Sequence, residues 1–196
     1  MKKRDLAIIN DLRRFRVLRR DDIADLYFRE LKQPVTSANF VLKRLRRDGQ
    51  ITAITDRQPY VYTCADSGIK RDSAKIPHFL RIAECYRALR DVQAPRIFEV
   101  EPKLGAKGTV EPDAFALWRG APFYIEIQRS VYSAKTFDAK LNRYVDYYNE
   151  GKWREESWQP KGKAPIFPYV WVITDVEYAV GSLPFRVIQT KDFRLN

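Results

Sequence analysis

Three side chains suited to a hard cation stand within one short stretch, residues 111–130: Asp113, Glu126 and Gln128. Side chains alternate along a strand, so in PFYIEIQ (residues 122–128) Tyr124, Glu126 and Gln128 share one face, and Phe123, Ile125 and Ile127 the other. Asp113 opens the preceding strand-like run DAFALW, and a turn through RGA brings its end beside Glu126. Two carboxylates at neighbouring strand ends make a hard-oxygen site of the kind that takes Mg²⁺ or Mn²⁺. Such an ion polarises a phosphate oxygen and lowers the pKa of a bound water. Gln128 can orient a water or ligate through its carbonyl oxygen, but it supplies no positive charge and exchanges no proton. Lys140, sharing a helix face with Tyr144 four residues on, is a candidate for that charge, with Lys135 a second. The residues alone leave three readings: a metal-dependent phosphodiester-cleaving site, the remnant of one, or a polar strand face.

The elements that would hold these residues run from residue 78 to the C-terminus. HFLRIAECYRALRD reads as an amphipathic helix with Phe79, Ile82, Ala83, Tyr86 and Leu89 inward. Three strands follow (RIFEVEP, DAFALW, PFYIEIQ), then a long helix, SAKTFDAKLNRYVDYYNEG, closed by Gly151. YVWVITD is apolar throughout, as in a strand covered on both faces, and FRVIQT is a last strand. The order predicts a mixed sheet with flanking helices. The polar stretch 149–165 reads as a loop facing DNA, and Trp153, Trp158, Tyr144, Tyr147 and Tyr148 either stack bases or pack the core. His78 reads as a cap or packing residue.

Charge directs attention to the other end. The 196 residues carry 36 basic and 25 acidic side chains, a net +11. Residues 1–75 hold 18 of the basic and 10 of the acidic ones, leaving 18 and 15 for the remainder. A polyanion, duplex DNA first, is the expected partner, and its grip is expected in the first part. There KRDLAIINDLRRF places Leu6, Ile9 and Leu12 at helical spacing, and Asp21 or Asp22 caps a second helix. A third helix starts at a Thr36 or Ser37 cap, buries Phe40, Val41 and Leu45, and stops at Gly49. The runs ITAIT and YVYTC then form a hairpin. Three helices and a hairpin in that order predict a winged helix-turn-helix. Thr36, Ser37, Asn39, Lys43, Arg44, Arg46 and Arg47 lie on its recognition helix, and Arg57 at the wing tip. A solvated helix face or a protein-docking role would use the same residue types.

The expected organisation is a winged helix over residues 1–66, a polar linker over 67–77 and an α/β (α+β) domain over 78–196. No apolar run of about 20 residues is present, so no membrane span is expected. Cys64 and Cys85 lack metal-site spacing, which fits reduced thiols and a cytoplasmic protein.

The carboxylate pattern resembles the PD-(D/E)XK nuclease superfamily. Pro112-Asp113 stands as the PD, and Glu126-Ile127-Gln128 as the (D/E)XK with glutamine in the lysine position. Glu84, on the helix before the sheet, matches a further glutamate common in that superfamily. The chain as a whole is similar to the replication-relaxation family. That resemblance rests on KRLRRDG, the helix from His78 to Leu89, EPDAF, YIEIQRS, AKLNRYVDYYNEGKW and FPYVWVITD. Family members tend to follow the Glu-hydrophobic pair with an acidic residue, Arg and Gly; here Gln128, Arg129 and Ser130 follow. The resemblance implies a winged helix joined to a restriction-endonuclease-like domain, carried by plasmids or integrative elements. It implies DNA binding in replication, transfer or relaxation, with replication or transfer proteins as further partners and a homodimer as one form. The implied site uses Asp113 and Glu126 on Mg²⁺ or Mn²⁺, with Glu84, Gln128 and Lys140 assisting; the alternative is a non-catalytic regulator or accessory factor.

Overall fold

Helix-forming runs lead the chain. In the computed structural model, which describes residues 1–195, α1 (Lys3–Phe15) buries Ile8, Ile9, Leu12 and Phe15. Leu6, expected inward, is exposed, because Ile8 and Ile9 already fill that side of the first turns. After β1 (Leu18–Arg19), α2 (Arg20–Phe28) begins earlier than the expected aspartate cap. Asp22 is its third residue, and its carboxylate accepts the Arg19 N–H at 2.8 Å.

α3 (Pro34–Arg47) also starts ahead of its expected cap at Thr36 or Ser37. Pro34 occupies the first helical position, where a fixed φ suits the helix and a missing N–H costs nothing. Ala38, Leu42 and Leu45 form its buried face. Phe40, expected inward, is 73% exposed. It lies two residues from both Ala38 and Leu42, so it stands roughly 200° around the helix from each. Gly49, at φ +67°, adopts the left-handed conformation that stops the helix, with its N–H on Arg46 O.

The hairpin follows. β2 (Ile51–Ile54) pairs antiparallel with β3 (Val61–Cys64), from Ile51↔Cys64 to Ile54↔Val61. β1 lines the other edge of β3 through Leu18↔Tyr62, giving the order β1-β3-β2. Three helices and this small sheet follow one another in the order expected of a winged helix-turn-helix. Cys64 and Cys85 are free and buried.

The chain divides into two compact units, Met1–Arg87 and Ala88–Asn196. The division falls inside α4 (Ile76–Val92). The leading part of α4 is tied to the first unit: the Tyr86 ring lies 5.3 Å from Phe15, and Arg87 Nε lies 3.4 Å from the buried Asp22 carboxylate.

The second unit is a five-stranded mixed sheet of β4 (Ile97–Val100), β5 (Ala114–Trp118), β6 (Ala121–Ile127), β7 (Tyr169–Ile173) and β8 (Val187–Thr190), in sequential order. β4, β5 and β6 are antiparallel; β7 and β8 continue parallel to β6. Arg119 and Gly120, at φ +51° and +80°, make the two-residue turn between β5 and β6, the primed geometry that matches strand twist. α5 (Ala134–Glu150) starts at Ser133, whose Oγ accepts the Thr136 N–H at 3.2 Å. Its Phe137, Leu141, Tyr144 and Tyr147 pack with Phe115, Tyr124, Val170 and Val172 of the sheet.

Residues 149–165 are more ordered than a free loop. A 3-10 turn (Lys152–Glu155) buries Trp153, whose Nε1 donates to Tyr148 O at 2.9 Å. Gln159 donates to Trp153 O at 2.8 Å and accepts from Ile166 N at 2.9 Å. Among the described residues, no helix is long and apolar enough to cross a membrane.

Candidate functional site

Two features of the fold can do chemistry, one in each unit. The first is the outer face of α3. Its buried face points Ala38, Leu42 and Leu45 into the core, and that leaves Thr36, Asn39, Phe40, Lys43, Arg46 and Arg47 exposed, with Ser37 half-buried. Helical spacing puts Thr36, Phe40, Lys43 and Arg47 on one stripe. Arg44 is turned aside: its Nη2 lies 2.8 Å from Asp5 Oδ1, joining α3 to α1. That hydrogen bond from Arg44, ahead of the opposing effect of burial, holds the Asp5 carboxyl below its ordinary value. Arg47 pairs with its neighbour Asp48 at the helix end, an exposed contact worth little. Arg57 sits half-buried in the turn between β2 and β3.

The second feature lies where β5 and β6 meet under α5. Ala114↔Ile125 is the last pair of the β5–β6 ladder, so Asp113 and Glu126 flank it at adjacent strand ends. Asp113 Oδ2 accepts the Ile127 N–H at 2.6 Å, which pins the carboxylate against β6. Glu126 is 2% exposed and faces α5 with Tyr124. Lys140 Nζ donates to its Oε2, and Tyr144 OH donates to its Oε1 at 2.7 Å. Lysine and tyrosine four residues apart on α5 thus grip the two oxygens of one carboxylate.

The electrostatics follow from burial. Desolvation pushes the Glu126 carboxyl up to about 7, attraction to Lys140 acts against it, and the Asp113 charge adds to it. Lys140 is itself buried enough for desolvation to favour loss of its proton, but Glu126 and Asp113 outweigh that and hold its pKa above the ordinary lysine value. Burial first, then the Glu126 charge, keeps the Tyr144 hydroxyl far above its usual range, so it remains a donor.

Gln128 stands past the end of β6, with its N–H on Ile173 O at 3.0 Å. Its Oε1 accepts from Tyr178 OH at 3.1 Å; that hydroxyl also accepts the Tyr132 N–H at 2.8 Å, and the Tyr178 ring stacks on Phe137 at 4.1 Å. Tyr178 is distant from Gln128 in sequence, and no local pattern signals the pairing. Glu84 belongs to the first unit, where its Oε2 lies 2.9 Å from Arg81 Nη1. Lys135 is exposed in the first turn of α5. Tyr144, Tyr147 and Trp153, which composition left open as base-stacking residues, are buried in the second unit's core.

The structure therefore brings Asp113, Glu126 and Lys140 together, with Tyr144 as a fourth member. Asp113 and Glu126 offer carboxylates and Gln128 a carbonyl oxygen, all hard donors whose chemistry suits Mg²⁺ or Mn²⁺. Among the described residues, no group of three or more His, Cys, Asp and Glu side chains is placed to hold an ion. A cation here would rely on two carboxylates, the amide of Gln128 and water.

A family model described as replication-relaxation matches residues 9–161. The matched span takes in α3 and every member of the Asp113, Glu126, Lys140 and Tyr144 cluster. No match was found among curated proteins or among solved structures.

Proposed function

The chain belongs to the replication-relaxation family, and we propose that it is a duplex-DNA-binding protein of a mobile element, acting in replication, transfer or relaxation. The observation that carries this reading is the exposed stripe of α3. A helix whose inner face is fixed in a small core presents Thr36, Asn39, Lys43, Arg46 and Arg47 outward, in the unit that holds most of the excess positive charge. Lysine and arginine there bind phosphates, and Asn39 is suited to an adenine edge. Replication or transfer proteins of the same element are the partners this role implies.

In the second unit, the reading is a Mg²⁺- or Mn²⁺-dependent DNA-nicking site. Asp113, Glu126 and the carbonyl of Gln128 would hold the ion, which would polarise the phosphate and activate a water. Lys140 supplies a fixed positive charge beside the carboxylates, suited to a phosphate oxygen. Tyr144 fixes the orientation of the Glu126 carboxylate.

One observation favours a second reading, a non-cutting accessory factor. Both Glu126 oxygens already accept hydrogen bonds, and the side chain is 2% exposed. Lys140 then serves as a permanent counter-ion in the core. Incubation of supercoiled plasmid with the protein and Mg²⁺ or Mn²⁺, beside Asp113→Ala and Glu126→Ala controls, separates the two. Metal-dependent nicking lost in the controls supports the nicking reading. Salt-sensitive binding without a cut supports the accessory role, and absence of duplex binding at moderate salt defeats both.

A further inference from the structure

We propose that Phe40 is a base-contacting residue that reads the C5-methyl group of a thymine in the major groove. The inference rests on the DNA-binding reading above and names one of its specificity determinants.

Phe40 is 73% exposed, the most exposed of the large apolar side chains among the described residues. Full burial of such a ring stabilises a fold by about 1.5–3 kcal/mol, and this fold forgoes most of that. Its position is fixed by the helix. Thr36 precedes it by four residues, and Lys43 and Arg47 follow by three and seven, so the ring stands within the polar stripe. Val35, also partly exposed, is five positions back and turned well away around the helix.

The surroundings say what kind of molecule covers the ring. Phe40 forms one wall of a cavity of about 340 Å³ between α1 and α3, whose other lining residues are Lys2, Arg4, Asp5, Val41 and Arg44. The one acid in that lining, Asp5, is engaged by Arg44. The rest of the charge around the ring is positive: Lys2 and Arg4 on one side, Lys43 and Arg47 on the other. An apolar protein patch would have to desolvate Lys2, Arg4, Lys43 and Arg47 around the ring. A polyanion with one apolar projection fits both features, and in the major groove the projection on offer is the thymine methyl, which phenylalanine is suited to contact. The phosphates alongside that base would meet Lys2 and Arg4.

The test begins with selection of a tight duplex from a random library by the full chain. Each thymine is then replaced by deoxyuridine, which lacks only the methyl, and binding is followed by fluorescence anisotropy. We expect wild type to lose about fourfold in affinity at one or two thymine positions. Phe40→Ala is expected to bind the selected duplex more weakly, to be indifferent to the same replacements, and to keep the wild-type salt slope, since no charge is changed. Its melting temperature should match wild type, because the ring is exposed. A Phe40→Ala protein that binds as wild type does, or stays equally sensitive to deoxyuridine, overturns the inference and leaves DNA binding intact. So does a wild-type dimer, seen by sedimentation, that Phe40→Ala dissociates without changing base preference. Absence of any duplex selected by wild type overturns the DNA reading itself.

Discussion

Lys140 Nζ donates to Glu126 Oε2 across the interface between α5 and β6, pairing a lysine with a carboxylate that is 2% exposed. The Lys140 side chain is 19% exposed, so neither charge is well screened by water. Removing one partner of a buried pair leaves the other charge uncompensated. Lys140→Met lets the Glu126 carboxyl rise further and take up a proton, so the loss from this pair is expected to be about 1 kcal/mol at pH 7.5. The loss should shrink at pH 5, where Glu126 is protonated and has no charge to compensate. Urea denaturation at the two pH values checks it, and equal losses would contradict the pairing.

Glu126 also sets a pH dependence. Its carboxyl is raised from 4.5 to about 7, with burial the largest cause. The folded state thus holds a proton that the unfolded chain releases earlier. The contribution is fully present below about pH 4.5 and is lost as pH rises through about 7. Its size is at most about 3 kcal/mol. Tyr144→Phe removes a hydrogen bond that favours the ionised form, so the decline should move to higher pH. Unfolding midpoints measured from pH 4 to 8, with Glu126→Gln as the variant that lacks this titration, provide the comparison.

The basic residues on α3 should separate into two kinds. Lys43→Ala and Arg47→Ala are expected to weaken DNA binding for all sequences alike. Each should reduce the slope of log affinity against log salt by about 1. Arg44→Ala should instead lower the melting temperature, because it strips Asp5, buried at 1% exposure, of its partner. If Arg44→Ala left stability unchanged and altered only the salt slope, the Asp5 contact would have no structural role.

Nicking, where it occurs, should require a divalent ion. EDTA is expected to abolish relaxation of supercoiled plasmid, and Mn²⁺ to restore it. Asp113→Ala and Lys140→Met should each lower the rate by at least ~100-fold, as loss of a charge-stabilising group does. The result is read against circular dichroism of the same variants, so that lost activity is assigned to the site only where the fold remains.

Element order was legible because it depends on local rules. Alternation gave β6 and the shared face of Tyr124 and Glu126; the 3.6-residue period gave α5 and its Lys140–Tyr144 face; Gly49 and Gly151 marked helix ends. Inward faces were less legible when apolar residues lay on more than one side. Phe40 reads as core by type, yet Ala38, Leu42 and Leu45 make the tighter packing stripe. Helix starts slipped for a similar reason: Pro34 offers a better first position than Thr36 or Ser37 offers a cap.

By itself, then, the sequence determined helices α1 to α5, the hairpin and the strands of the larger sheet, the concentration of positive charge in residues 1–75 and the pairing of two carboxylates at strand ends, since each is written in spacing and residue type; the two-residue β1 and the 3-10 turn are too short to leave such a pattern. Tertiary structure alone decided that Arg44 serves Asp5, that Tyr178 holds Gln128, and that Lys140 and Tyr144 close on Glu126. Those partners are separated by many residues along the chain, and only the packing of one element on another brings such groups within hydrogen-bond reach.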